Sequence, residues 1–272
     1  MKQPSAYPFS LNTFNESPWI GGSGDLPGWV EAAAAAGFDQ IGPDCASLEA
    51  WLAAGGALPA LARQMRDAGV GCAVVAACAV LDGSPTQRDA LRRAAGHAEA
   101  LGARMLQVNV AAPDAPARLA AVADAASLLE GTGLKLALEY MPFTPLRTLG
   151  ETLEIVAQVG PARAGALIDI WHHAHDPGGW EALATAPLDA IAYVEFDDAR
   201  PIPPGADLSD ETLHHRAMPG TGALDCARFA GAVRAIGYTG MVSIEVLDRG
   251  WRGRPLPDYA RACHAASAPY WV

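Results

Sequence analysis

Short apolar runs alternate with longer, alanine- and leucine-rich segments along the chain. The runs are FSLNTF (9–14), FDQIGP (38–43), CAVVAAC (72–78), RMLQVNV (104–110), LKLALEY (134–140), AGALIDI (164–170), AIAYVEF (190–196) and MVSIEVL (241–247). Their brevity and near-continuous apolar character suit parallel strands buried on both faces. Between them, WVEAAAAAG (29–37) and LPALARQMRDAG (58–69) read as helices, each closing on a glycine that stops it. The segments 86–102, 114–133, 146–160, 226–237 and 258–267 continue the alternation.

Eight strand–helix repeats predict an α/β fold, a (β/α)8 TIM barrel forming a single domain over residues 1–272. The competitor is an open doubly wound sheet, which calls for a GxGxxG-type turn after its first strand. IGGSGDLPG (20–28) is glycine-rich, but it lacks that spacing and starts six residues beyond the first run.

Composition narrows the partners. The chain is 51% hydrophobic and 18% charged, enough to bury a large core. A net charge of −11 argues against a nucleic-acid backbone or an anionic membrane surface, both of which want a basic face. The longest apolar stretches, such as GCAVVAACAVL (71–81), are too short to span a bilayer. Cys45, Cys72, Cys78, Cys226 and Cys263 are odd in number and form no CxxC, which predicts a reduced, cytoplasmic protein acting on a small molecule. The closing APYWV is apolar enough to pack inside the fold or against a second copy, which allows a homo-oligomer.

In a barrel of this kind function sits at the C-terminal ends of the strands. The fifth to eighth runs place Glu139, Asp169, Glu195 and Glu245 there. Neighbouring strands lie about 4.8 Å apart, so these acids fall within reach of one ion. Crowded carboxylates repel and raise one another's pKa, and a divalent cation removes the repulsion. All-oxygen ligation favours Mg²⁺ or Mn²⁺; an added imidazole admits Co²⁺ or Zn²⁺.

LALEY, IDIWH, VEFDD, RAMPGTG and SIEV, all within 134–250, resemble the motifs of the xylose isomerase-like TIM barrels, the sugar phosphate isomerase/epimerase family. The resemblance implies one divalent metal held by Glu139, Asp169, Glu195 and Glu245, with Glu139 and Glu245 also transferring protons. Glu195 departs from the family pattern, which has His or Gln at that position. Asp169 and His172 match the family's Asp-x-x-His, making His172 the candidate to hydrogen-bond or polarise a substrate oxygen. His173 and His175 read as loop residues. Arg216 begins the Arg-x-x-Pro-Gly-x-Gly match and is expected to bind substrate, as is Asn12 in the first run. Of Gln107 and Asn109 in the fourth run, only one is expected to point inward; Asn109 is the candidate. Gly220 and Gly222 suit either tight loop geometry or close approach to a ligand. The connection from Asp197 to Asp225 is long and suits a lid.

Lys135 starts the fifth run, at the end opposite the mouth, and Lys2 is terminal, so a Schiff-base amine is missing. What remains is metal-assisted proton transfer beside a carbonyl of a sugar or related polyhydroxy compound. Isomerase or epimerase chemistry comes first, with a dehydratase of the inosose or 3-dehydroshikimate type as the alternative. A non-catalytic binding barrel is the other class, supported by the departure at Glu195. Endonuclease IV-like action on DNA, on the same barrel, is disfavoured by the acidic charge.

Overall fold

The computed structural model describes residues 7–272, and Lys2 lies outside them. Eight parallel strands form the barrel: β1 (Phe9–Asn12), β2 (Gln40–Gly42), β3 (Val74–Leu81), β4 (Met105–Val110), β5 (Lys135–Glu139), β6 (Ala164–Asp169), β7 (Ile191–Phe196) and β8 (Val242–Ile244). Neighbours pair in sequence order, and β1 pairs with β8. Closure falls on the third strand. Gly71–Cys72 pairs with β2, and β3, which resumes after Ala73, pairs with β4. The chain is thus a TIM barrel.

Helices cover the outside, held by the apolar outward positions of the strands. The predicted glycine stops Gly37 and Gly69 cap their helices at φ 92° and 71°, and Gly102 does the same at 77°, a region costly for any residue with a Cβ. Two helices, Cys45–Ala53 and Leu58–Ala68, follow β2 where the periodicity predicts one. The first is capped by Asp44, whose carboxylate accepts Ser47 N–H at 2.9 Å. The long connection after β7 is not structureless. Asp198–Ala199 pairs antiparallel with Arg216–Ala217, and Leu208–His214 is helical between them.

Inside the barrel a small apolar layer of Val74, Ala137, Leu167, Tyr193 and Met241 fills the lumen. At the closing end, Trp271 of APYWV is buried against Tyr7 and Phe196, with ring centroids 5.3 Å apart in both pairs, while Val272 is exposed. No single helix among the described residues is long and apolar enough to cross a membrane.

Candidate active site

Side chains two apart on a strand share a face. Ala137, Leu167 and Tyr193 fill the lumen, so Glu139, Asp169 and Glu195 must also point inward, one layer nearer the mouth. Ser10 and Asn12, and Ser243 and Glu245, follow the same spacing. All four predicted acids are buried, Asp169 and Glu195 completely. Strand register sets two neighbours side by side: Asn109 opposite Glu139, and Asp169 opposite Glu195.

Each carboxylate is held by named donors. Glu139 Oε2 accepts from Gln107 Nε2 at 2.8 Å and Asn109 Nδ2 at 2.9 Å. The expectation that only one of these two amides faces inward is therefore wrong. They are two residues apart, and the alternation that separates neighbours places them together. The Gln107 amide is oriented from behind, since its Oε1 accepts Ala77 N–H at 3.1 Å. Ala77 sits at an irregularity in β3 with φ 48°, the one non-glycine residue in the left-handed region among the described residues. Asn12 Nδ2 donates to Glu195 Oε1 at 3.1 Å and to Glu245 Oε1 at 2.7 Å. Ser243 Oγ adds a further bond to Glu195 Oε1 at 3.1 Å.

Asp169 ends β6 and caps the short helix Ile170–Ala174, accepting His172 N–H on Oδ1 at 2.9 Å. The three histidines read as loop residues or contacts lie on or beside this helix. His172 Nε2 lies 3.3 Å from Glu139 Oε1. His173 turns away from the mouth, with Nδ1 3.0 Å from Tyr140 Oη, and burial pushes its pKa down to about 4, so it is neutral. His175 stacks on Trp171 and bonds its carbonyl.

Arg216 reaches the site from the connection after β7, wholly buried. Its guanidinium donates to Asp169 Oδ2 at 2.6 Å, to Asp197 Oδ2, and to Thr212 Oγ1 at 2.8 Å. It therefore props the acid cluster from the side and shares its charge between two aspartates. The glycines behind it serve loop closure. Asp198 accepts N–H groups of Gly220, Gly222 and Leu224 at 3.0, 2.8 and 2.9 Å. A Cβ on Gly222 would meet Ala199 O at 2.2 Å. Asp197, Asp198 and Ser243 were not singled out from the sequence. The paired acids of VEFDD were the available signal.

Burial and the neighbouring carboxylates Glu139 and Asp169 push the Glu195 pKa well above the ordinary range. Burial and Glu195 do the same to Glu245, against the opposing pull of Arg216. Burial also works to raise Asp169, but Arg216 and His172 outweigh it and its pKa is lowered. Ligand atoms of Glu139, Asp169 and His172 lie within 4.8 Å of one another, as do those of Asp169, Glu195 and Glu245. Glu195 Oε2 is buried with no hydrogen-bond partner among the described residues. A buried carboxylate oxygen without a donor, among other carboxylates, is costly unless a cation meets it. The donor set fits a divalent cation. His172, expected only as a substrate contact, stands among the possible ligands.

Glu139 and Glu245, with His172 and Arg216, line a cavity of about 200 Å³. Its apolar wall includes Phe14, Trp19, Met141, Phe143 and Leu247, and Thr212 and Leu213 of the Leu208–His214 helix close one side. Lys135 is far from this mouth, bonded to the Asp189 carbonyl at 2.8 Å.

Residues 30–266 match the family model described as xylose isomerase-like TIM barrel. A 3-dehydroshikimate dehydratase of Pseudomonas putida is 30% identical over 246 residues, covering 86% of this chain and 38% of that protein. An inosose isomerase of Halalkalibacterium halodurans is 32% identical over 116 residues, 42% of this chain and 40% of that one. The chain thus spans about two-fifths of the length of these curated relatives. Among solved structures, the IolI protein with a bound zinc atom superposes with a TM-score of 0.83 at 18% identity, covering 96% of this chain and 97% of that one, a likeness of fold. With the family model spanning most of the barrel, this chain belongs to the xylose isomerase-like TIM-barrel family.

Proposed function

We propose that this chain is a divalent-metal-dependent enzyme that moves a proton beside the carbonyl of a sugar or related polyhydroxy compound, giving isomerisation or epimerisation. The observation that carries this is the placement of Glu139 and Glu245 in two ligand groups that share Asp169. Glu139, Asp169, Glu195 and Glu245 would hold the metal, with His172 beside them. Three or four carboxylates favour Mg²⁺ or Mn²⁺; the imidazole brings Co²⁺ and Zn²⁺ within range. When bound, the cation supplies Lewis acidity at the substrate carbonyl.

The protein's own groups do the rest. Glu139 has one oxygen fixed by two amides and the other facing His172. Glu245 has one oxygen fixed by Asn12 and the other 3.9 Å from the Arg216 guanidinium. Each carboxylate therefore keeps its orientation while one oxygen stays available to take or return a proton. One glutamate removes the proton on the carbon next to the carbonyl, and the other delivers a proton to the adjacent carbon or to the opposite face. His172 Nε2 is placed beside Glu139 to meet a substrate hydroxyl or carbonyl oxygen, and Arg216 holds Asp169 in place. Gln107 and Asn109 keep Glu139 aimed.

A second reading, dehydration, is supported by the length of the match to the Pseudomonas putida dehydratase. It uses the same proton removal, followed by loss of a β-hydroxyl. One experiment tests both. The Mn²⁺-loaded protein is incubated in D₂O with ketoses and cyclic polyol ketones, followed by NMR and ultraviolet absorbance. Deuterium at the carbon next to the carbonyl is expected, and a growing enone absorbance would mark dehydration. Glu139→Gln and Glu245→Gln should each slow exchange by about 10²–10⁴-fold. Absence of exchange together with absence of metal binding would leave a binding barrel.

A further inference from the structure

The acidic cavity does not end at the acids. A side compartment of about 210 Å³ shares Phe14, Trp19, Ala77 and Asn109 with it and is otherwise walled by Ala46, Ala79 and Val80. No charged side chain lines that compartment. Trp19 and Val80 are 66% and 52% exposed, and Phe14 and Trp19 stack loosely with centroids 5.7 Å apart. With Phe143, these are three of the five large apolar side chains exposed among the described residues. They gather around one opening rather than scattering over the surface, and such clustering marks a binding surface. By itself the acidic cavity falls below the ~300–1,000 Å³ of ordinary small-molecule sites, and the two compartments together come within that range.

The charges at the mouth are also accounted for. Among the described residues Arg216 is the only lysine or arginine lining the acidic cavity, and it is committed to Asp169 and Asp197. Arg200 pairs with Asp248 at 2.9 Å, and Arg249 lies 3.8 Å from Asp210. Arg252 is turned to the Asn15 and Leu213 carbonyls, and Arg147 to the Thr144 carbonyl. None of these four lines either compartment. A phosphate or carboxylate carried away from the metal-holding acids would find no uncommitted lysine or arginine on either lining among the described residues, a costly placement for a desolvated anion.

Building on the proposed function, which makes the acidic cavity a polyhydroxy-compound site, we infer that the substrate is an uncharged polyhydroxy ring bearing an apolar substituent. The ring's hydroxyls face the acids and amides, and the substituent lies in the side compartment against Trp19 and Phe14.

The test is calorimetric titration of the Mn²⁺-loaded protein with methyl β-D-glucopyranoside, phenyl β-D-glucopyranoside and phenyl β-D-glucuronide. The phenyl glucoside is expected to bind at least about tenfold tighter than the methyl glucoside, because its ring buries apolar area against aromatic side chains. The glucuronide is expected to bind more weakly than the phenyl glucoside. Val80→Arg, in the wall of the side compartment, should bring the two glucosides to within about twofold by filling that compartment. Equal binding of the two glucosides by the native protein, tighter binding of the glucuronide, or a phenyl preference that survives Val80→Arg overturns the inference. Binding of the methyl glucoside in those cases leaves the proposed function standing. Binding of none of the three overturns this inference, while the proposed function is decided separately by the exchange experiment in D₂O.

Discussion

The Asn12 amide donates to Glu245 Oε1 at 2.7 Å, tying the end of β1 to the residue that follows β8. The same nitrogen reaches Glu195 Oε1 at 3.1 Å. One neutral donor thus holds two buried acids side by side. Asn12→Asp replaces that donor with another carboxylate. The metal-free variant should lose about 1–3 kcal/mol of stability from the lost donor and added repulsion. A divalent cation should restore more of the melting temperature in this variant than in the native chain. Thermal melts with chelator and with Mn²⁺ check both.

The raised pKa values of Glu195 and Glu245 give a pH signature. Both acids hold their protons more tightly folded than unfolded. Without metal, the contribution of these two acids to stability is therefore fully present below the ordinary value of 4.5 and declines as pH rises from there through the raised folded values. Glu195→Gln removes one of the titrating groups and should flatten that decline. Metal favours the ionised forms and should flatten it too. Melting temperatures from below pH 4.5 to above neutrality, with chelator and with Mn²⁺, measure the slopes. Identical slopes for the native chain and Glu195→Gln would contradict the assignment.

Arg216 is wholly buried between Asp169 and Asp197, where it meets Asp197 Oδ2, and Asp197 Oδ1 has no hydrogen-bond partner among the described residues. Arg216→Met would leave two buried aspartates without their cation and should cost about 3–5 kcal/mol in urea unfolding. Arg216→Lys keeps the charge but not the fork that meets both aspartates and Thr212, so an intermediate loss is expected.

Gly222 lies where a Cβ would meet Ala199 O at 2.2 Å and Asp198 Oδ1 at 2.4 Å. Gly222→Ala must displace the loop that Asp198 pins by three backbone N–H groups. A loss of about 1–3 kcal/mol is expected, as in overpacked cores. Denaturant titration checks the cost. Calorimetry with Mn²⁺ should show metal affinity reduced less than stability, because the loop lies behind Arg216 rather than among the acids.

Much of this molecule was legible from the alternation of short apolar runs with helical segments, because strand and helix periods are local properties of the chain. The acids also declared themselves. A strand buried in a barrel has little reason to carry a carboxylate at its end, and four successive strands have one at or next to their last residue. The pairing of Gln107 with Asn109 was within reach of the same alternation, since residues two apart share a face. The first of the two helices after β2 was hidden because CASLEAWLA lacks a strong apolar stripe, and the Asp44 cap with its tertiary contacts settles that segment.

The sequence by itself determined the barrel, the end of it that carries chemistry and the four carboxylates there. Tertiary structure alone decided how the charges are spent. Arg216 is committed to two aspartates, His172 stands beside Glu139, His173 is turned outward to Tyr140, and four further arginines are drawn to partners away from the mouth. These outcomes depend on which side chains from distant segments meet within a few ångströms. Periodicity and motif spacing do not encode those distances, because hydrogen bonds and ion pairs form through space rather than along the chain.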